Sequence, residues 1–337
     1  MTTDLHAHVV PAALVRALRA GPVGAVELTE GPAGGMRLLV GGHPTPVGPA
    51  SLADVGSRLA AMDAMGVRRQ VMSCWVELLA TRLPTPDAAR WSAAVNDALA
   101  EEVAAHPDRL DAVGMVPLQS PRHAETELRR VVVELGLAGV EVPTTVAGAE
   151  LADTALDGFW ATAEALRAIV LLHPVEPIGG ARTAGSGLVD LIGSPAETAT
   201  AFGHLLRGGI LDRHPHLRLV LVHGGGVLPW LVGRAGAVGR ARGDEAMADL
   251  HAALRRVHHD SLVHDPRVLR LLVEVVGSDR VVIGTDWPFP HGEADPVGLA
   301  NAALGQDPAT LQAVLATNAA GLLADVRRPL RAGTGRE

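Results

Sequence analysis

An α/β fold in which eight parallel strands close into a (β/α)8 barrel is the architecture this sequence predicts. Three observations point to it. Short β-branched runs alternate with longer Ala/Leu/Arg-rich stretches of helical period, eight such runs occur, and several end in histidine or aspartate. In a barrel of this kind the C-terminal strand ends converge on one mouth. The runs are TTDLHAHV (2–9), RQVMSCWV (69–76), LDAVGMVPL (110–118), LAGVEVPT (137–144), AIVLLHP (168–174), LRLVLVHGG (217–225), VHHDSLV (257–263) and RVVIGTDW (280–287). Helical patterning falls between them, at 52–66, 87–106, 121–136, 156–167, 195–212, 227–237, 244–255 and 265–277. Over 91–105, for example, Trp91, Ala94, Val95, Ala98 and Leu99 recur near helical spacing and HPDR follows as a stop. Residues 20–50 interrupt the alternation. They are rich in Gly and Pro and hold two alternating runs, VELTE and MRLLV, joined by GPAGG, which predicts a small β-hairpin insertion after the first strand, overhanging the mouth. Residues 308–325 supply closing helix, so 1–326 reads as a single domain and 327–337 as a frayed tail.

Composition sets the functional limits. With 337 residues, 48% hydrophobic and 20% charged, the chain can bury one large core. A net charge of −8 without any basic block argues against a nucleic-acid partner. Cys74 is the sole cysteine, excludes an internal disulfide, and among apolar neighbours in VMSCWV reads as a structural strand residue. The start MTTDLHAH lacks the form of a leader, and no run of about 18 apolar residues suggests a membrane span, so a cytoplasmic location is expected. Every one of the 29 basic residues is arginine. Schiff-base chemistry, a P-loop lysine and a carbamylated lysine between two metals are therefore excluded.

The strand ends carry the chemistry. His6 and His8 lie one residue apart at the end of the first run, so their imidazoles can face one ion. The H-x-H pattern alone is weak, since His214 and His216 repeat it before a strand rather than after one. The fifth run adds His173, the sixth His223 and the eighth Asp286. Imidazole and carboxylate suit Zn2+ and neighbouring first-row divalent ions. We read His6, His8, His173 and Asp286 as metal ligands with one coordination position open, and His223 as a free acid or base for proton transfer. Zn2+ is the expected ion, with Mn2+ or another first-row ion as the alternative. His43, His106, His123, His204, His251, His258, His259, His264 and His291 are read as structural or surface residues, His291 being the one close enough to the last strand to line a pocket.

DLHAHVVP, LLHP, VLVHGGGVLPWLVGR, HDSLVHDPRVLRLLVEVVGSDRVVIGTDWPFPHGE and SPAET together resemble the amidohydrolase superfamily, and within it the 2-amino-3-carboxymuconate-6-semialdehyde decarboxylase group. The resemblance spans nearly the whole chain. It implies a distorted barrel, one divalent metal, no organic cofactor, and non-oxidative decarboxylation of a small unsaturated or aromatic carboxylic acid. It implies the same ligand set and the proton-transfer role of His223. Glu141, on the fourth run, is the residue that would bridge a second ion, but one ion is expected. Arg234 matches an arginine that family members use to bind a substrate carboxylate across a dimer interface, which implies a homodimer, and Trp287 is the other substrate-binding candidate. Two departures alter the expected pocket. The arginine usual before the first barrel helix is missing until Arg58, and Asp190 stands where the group often has tryptophan, so the named muconate semialdehyde is not the expected substrate. Hydrolysis of a lactone or amide, or hydration, is the rival use of the same site, and a non-enzymatic scaffold would be marked by a broken ligand set.

Overall fold

The computed structural model describes residues 1–31, 35–79, 81–184 and 187–326. The tail expected over 327–337 and the centre of the GPAGG joint lie outside them. The barrel strands are β1 (Thr3–Val9), β2 (Arg69–Cys74), β3 (Leu110–Ala112 continued by Gly114–Met115), β4 (Gly139–Pro143), β5 (Ile169–His173), β6 (Arg218–Leu221), β7 (His258–Asp260) and β8 (Val281–Val282). Each pairs in parallel with the next. Parallel bridges Asp4–Ile283 and Ala7–Trp287 then join the β8 edge to β1, closing the cylinder. All eight expected runs are present. They are shorter than their apolar patterns, because their last residues turn out of the sheet to form the mouth.

Side-chain alternation divides the core into two compartments. On β5, Val170 and Leu172 face the surrounding helices in one cluster with Phe159, Trp160 and Phe202, whereas Ile169 and Leu171 join Val71, Val220 and Val282 inside the barrel. Ala319, Leu322 and Leu323 belong to the interior cluster and seal its floor. They come from the closing helical stretch 308–326, which is long and apolar enough by length and composition to cross a membrane but here spends its apolar face on the barrel.

The helices start where aspartate can cap them. Asp54, Asp265 and Asp295 accept from the backbone N–H of Ser57, Arg267 and Gly298, and proline opens the helices Pro266–Val276 and Pro296–Leu304. The last of these was not expected, nor was the helix Ala12–Ala20, which buries Leu14, Val15 and Leu18. The early insertion is an antiparallel sheet of Val26–Glu30, Met36–Val40 and His43–Pro44, and it follows that first helix rather than β1 directly.

Candidate metal centre

The pairing of β1 with β2 shifts register between Asp4 and Ala7. Strict alternation would send neighbours to opposite faces, but the shift lets Leu5 join the interior cluster while the next residue, His6, also turns inward beside His8. The two Nε2 atoms are 3.2 Å apart. Asp286 Oδ1 stands 3.2 Å from His8 Nε2 and 3.7 Å from His6 Nε2. The His173 ring centroid lies 4.9 Å from that of His8 and 5.3 Å from that of His6, and the His223 centroid is 5.4 Å from both His6 and His173. All five sequence-predicted residues thus meet at the mouth.

Three overlapping triads, His6–His8–Asp286, His6–His173–His223 and His8–Glu141–His173, each hold their donor atoms within 4.8 Å of one another. Bonds of ~2 Å to a shared ion require donor separations of about this size or less. The donors also fit a cation chemically. His173 Nε2, His223 Nδ1 and Glu141 Oε1 are buried without a hydrogen-bond partner, which is costly for polar atoms unless something binds them.

A second layer fixes the imidazoles. His6 Nδ1 lies 2.6 Å from Asp260 Oδ2, His8 Nδ1 donates to the Cys74 carbonyl at 3.0 Å, and His173 Nδ1 donates to the Pro174 carbonyl at 3.0 Å. Each engaged Nδ1 leaves Nε2 for the shared centre. Asp260 also accepts from the backbone N–H of His223 at 3.0 Å and of Gly224 at 2.7 Å, tying β7 to the His223 turn. Asp4 accepts from Thr285 Oγ1 at 2.6 Å, Gln70 Nε2 at 2.7 Å and the His6 N–H at 3.0 Å. Neither aspartate was singled out from sequence. The signal that the sequence carries for Asp260 is its place near the end of the seventh run, directly after His258 and His259.

Buried charge is unbalanced. Asp4, Glu141, Asp260 and Asp286 are all at most 3% exposed, and Arg58 is the one buried arginine among the described residues. Burial works against a charged His6, but the Asp260 hydrogen bond and the charges of Asp286, Asp260 and Asp4 outweigh it and raise its pKa to about 9. Burial, with the His6 charge, pulls His223 down to about 4, and burial and the neighbouring histidines hold His173 well below its usual value. Burial pushes Asp286 upward, but hydrogen bonds from His291 and His8 and the charge of His6 keep it well below the usual carboxylate range. A divalent cation would replace the proton on His6 and neutralise the carboxylates.

The backbone at the mouth is specialised. His223 and Asp286 adopt φ of 56° and 58°, a region that side chains other than Gly enter at a cost of about 1–3 kcal/mol. For Asp286 that conformation is held by its own N–H and that of Thr285, which both donate to the His6 carbonyl, at 2.8 and 3.1 Å. After His223 the chain needs glycine: a Cβ on Gly226 would stand 2.2 Å from the Pro195 carbonyl oxygen.

Other expectations fare differently. Arg234 is exposed on the helix Leu228–Arg242 and does not join the histidine cluster within its own chain. Trp287 is half-buried, with the Arg58 guanidinium 4.4 Å from its ring centroid. Arg58 itself is turned inward, donating to Gln70 Oε1 at 2.6 Å and to the His8 carbonyl at 2.5 Å, and so does not replace the missing pocket arginine. His291 is exposed, as a surface residue would be, and also lies near the pocket: its Nε2 is 3.4 Å from Asp286 Oδ2 and its ring stacks on Phe289, whose ring in turn lies against His8, because the turn after β8 folds back over the mouth. Cys74 is buried in the hydrophobic core as expected, and its thiol in addition donates to Glu141 Oε2 at 3.1 Å. A cleft of about 610 Å³ beneath the insertion, lined by Thr45, Val76, Glu77, Val175 and Glu176, adjoins the ends of β2 and β5. A larger one of about 820 Å³, lined by Arg218, His258 and Arg280, opens at the strand starts and includes none of His6, His8, His173 and His223.

Comparison with known proteins places this geometry in context. A family model described as amidohydrolase matches residues 3–324. A 2-amino-3-carboxymuconate-6-semialdehyde decarboxylase from Dictyostelium discoideum is 34% identical over 252 residues, covering 72% of this chain and 69% of that protein. A gamma-resorcylate decarboxylase from Rhodococcus jostii is 33% identical over 263 residues, covering 69% and 77% respectively. The crystal structure of a dihydroxybenzoic acid decarboxylase from Polaromonas, with bound manganese and the inhibitor 2-nitroresorcinol, superimposes with a TM-score of 0.76 at 22% identity, covering 97% of this chain and 98% of that one.

Proposed function

This chain belongs to the amidohydrolase family, and from that premise we propose that it is a metal-dependent, non-oxidative decarboxylase of a small aromatic or unsaturated carboxylic acid. The observation that carries the reading is the convergence of His6, His8, His173 and Asp286, with His223 beside them, in a chain whose relatives are named as decarboxylases.

His6, His8, His173 and Asp286 would hold the ion through three Nε2 atoms and Asp286 Oδ1. When bound, the ion supplies Lewis-acid polarisation of a substrate oxygen and stabilises negative charge developing there. His223 is the proton-transfer residue, with Nδ1 buried and free of other partners. A proton moved by way of His223 to the substrate carbon that bears the carboxylate forms the new C–H bond with an electron pair of the conjugated system, and as the bond to the carboxyl carbon then breaks, CO2 leaves and the electron pair of that bond restores the conjugation. Arg234 is exposed on its helix beside Trp230 (57% exposed) and Leu231, and we read it as the residue that binds a substrate carboxylate in a second copy, with a homodimer as the working unit. Trp287, half-buried just after β8, is our other candidate for substrate binding. Zn2+ is our reading of the ion from three imidazoles and one carboxylate, with Mn2+ as the alternative. A cytoplasmic location accords with one unpaired thiol.

The test is a panel of hydroxybenzoic and unsaturated acids offered to chelated and metal-reloaded protein. CO2 release that depends on the reloaded ion is expected. Products that keep every carboxyl carbon would assign the site to hydrolysis or hydration instead.

A further inference from the structure

At the end of the barrel opposite the mouth, where the strands begin, the cleft of about 820 Å³ is basic. Arg167, Arg218, Arg255, Arg256 and Arg280 line it, against the carboxylates Glu164, Asp279 and Asp325. In a chain of net charge −8 this reverses the overall sign locally. Neighbouring strand starts supply the charge. Arg218 is the first residue of β6, His258 the first of β7, and Arg280 directly precedes Val281 of β8. Val220 pairs with His258 and His259 with Val281, so these strands lie side by side, about 4.8 Å apart. Arg167, two residues ahead of β5, adopts φ of 53°, a left-handed conformation that glycine takes freely after a helix and arginine only under strain.

Pairing within the cleft leaves positive charge over. Asp325 accepts from Arg218 and lies 3.7 Å from Arg167, so one carboxylate serves two guanidinium groups. Arg280 has Asp279 at 3.2 Å, and Arg256 has Asp212 at 2.7 Å. Arg255 donates to the Val275 carbonyl at 3.4 Å and has no carboxylate within 4.0 Å among the described residues. Arg218 and Arg256 also donate to the carbonyls of Leu322 and Leu211 at helix ends, but such contacts use only part of the five N–H donors each guanidinium carries. His258 adds a ring whose Nδ1 is buried without a partner. Burial and the Arg280 charge pull its pKa down to about 4, so an anion beside it would meet a positive field.

The guanidinium groups come from several strand starts and not as one planar fork. A carboxylate is planar and suits a single fork, whereas a phosphate offers oxygens in several directions. The cleft also has the volume of a small-molecule site. We propose that it is a binding site for a phosphorylated small molecule, whose phosphate is held by Arg218, Arg255 and Arg280. The site depends neither on the metal nor on the reaction at the mouth.

Calorimetry on the full-length chain tests this, with diphosphate and ADP as probes and citrate as a polycarboxylate control. The chain is first stripped by chelation, so that no probe binds through a metal ion. Diphosphate and ADP should bind at one per chain and more tightly than citrate. Arg280→Gln and Arg255→Gln should each weaken them by about tenfold or more, the scale of one charged hydrogen bond. Arg255 has no ion pair to break, so its variant tests the site even if Arg280→Gln does not fold. The His258 ring signal in NMR, assigned by its loss in His258→Gln, should move as diphosphate is added. Absence of binding to wild type, citrate bound as tightly as diphosphate, or wild-type affinity in Arg255→Gln would overturn the proposal. So would binding that leaves the His258 signal unmoved, which would place the phosphate elsewhere.

Discussion

Asp260 Oδ2 lies 2.6 Å from His6 Nδ1, and the same carboxylate takes the backbone N–H groups of His223 and Gly224. One buried side chain on β7 therefore orients an imidazole on β1 and the turn that presents His223 after β6. Asp260→Asn keeps an acceptor for the backbone but loses the charge that holds His6. Its Zn2+ affinity, read by competition with a chelating dye at fixed pH, should fall 10–100-fold, the scale for groups that orient a metal ligand. Wild-type affinity in that variant would show that His6 is oriented by something else.

His223→Ala separates proton transfer from ligation. Bound metal per chain should be retained, and turnover should fall by at least about a hundredfold, as for a positioned acid or base. Because His223 shares a triad with His6 and His173, the contrary outcome is specific: loss of the ion would make it a ligand.

Arg234→Ala should raise KM by about tenfold or more with kcat less affected, the scale of one charged hydrogen-bonding contact. Mixing it with His223→Ala should restore activity, since a mixed dimer contains one site with an intact His223 and an intact Arg234 from its neighbour. Additive inactivity of the mixture would confine Arg234 to its own chain.

Strand β7 also predicts acid lability. Burial pulls both His258 and His259 down to about 4, with the Arg280 charge adding to the effect on His258, against 6.5 when unfolded. Between those values the unfolded chain binds protons that the folded chain refuses, so stability falls as pH drops from about 6.5 towards 4 and the loss is complete below 4. At full effect it is roughly 3 kcal/mol per histidine. Urea midpoints at pH 7.5 and 5.0 should therefore differ strongly in wild type and less in His258→Gln. An identical difference in both would exclude His258 as a source.

The barrel was legible because β-branched runs and helical stretches differ in period, and the strand-end donors because the fold brings such ends together whatever their separation in sequence. What was missed has identifiable causes. The helix Ala12–Ala20 is only nine residues long and follows the H-x-H motif without a polar cap, starting after Pro11, while Pro296–Leu304 carries an interior Gly298 and is apolar on most sides, so it presents no clear stripe. His291 returns to Asp286 through a turn, and Arg58 meets Trp287 from a remote helix; no local spacing encodes either contact. The Glu141–Cys74 pair joins β4 to β2, and Asp260 joins β7 to β1, across the barrel interior. Such pairings exist only once the cylinder has closed.

We propose that a cation held by His6, His8, His173 and Asp286 drives loss of a carboxyl group. The most direct measurement uses a carboxyl-labelled hydroxybenzoic acid that the panel shows to be consumed, with labelled CO2 and product followed together in stripped and reloaded protein. One labelled CO2 per product, abolished by chelation and recovered with Zn2+ or Mn2+, is expected. Label retained in the product, or unchanged turnover in the stripped protein, would contradict it.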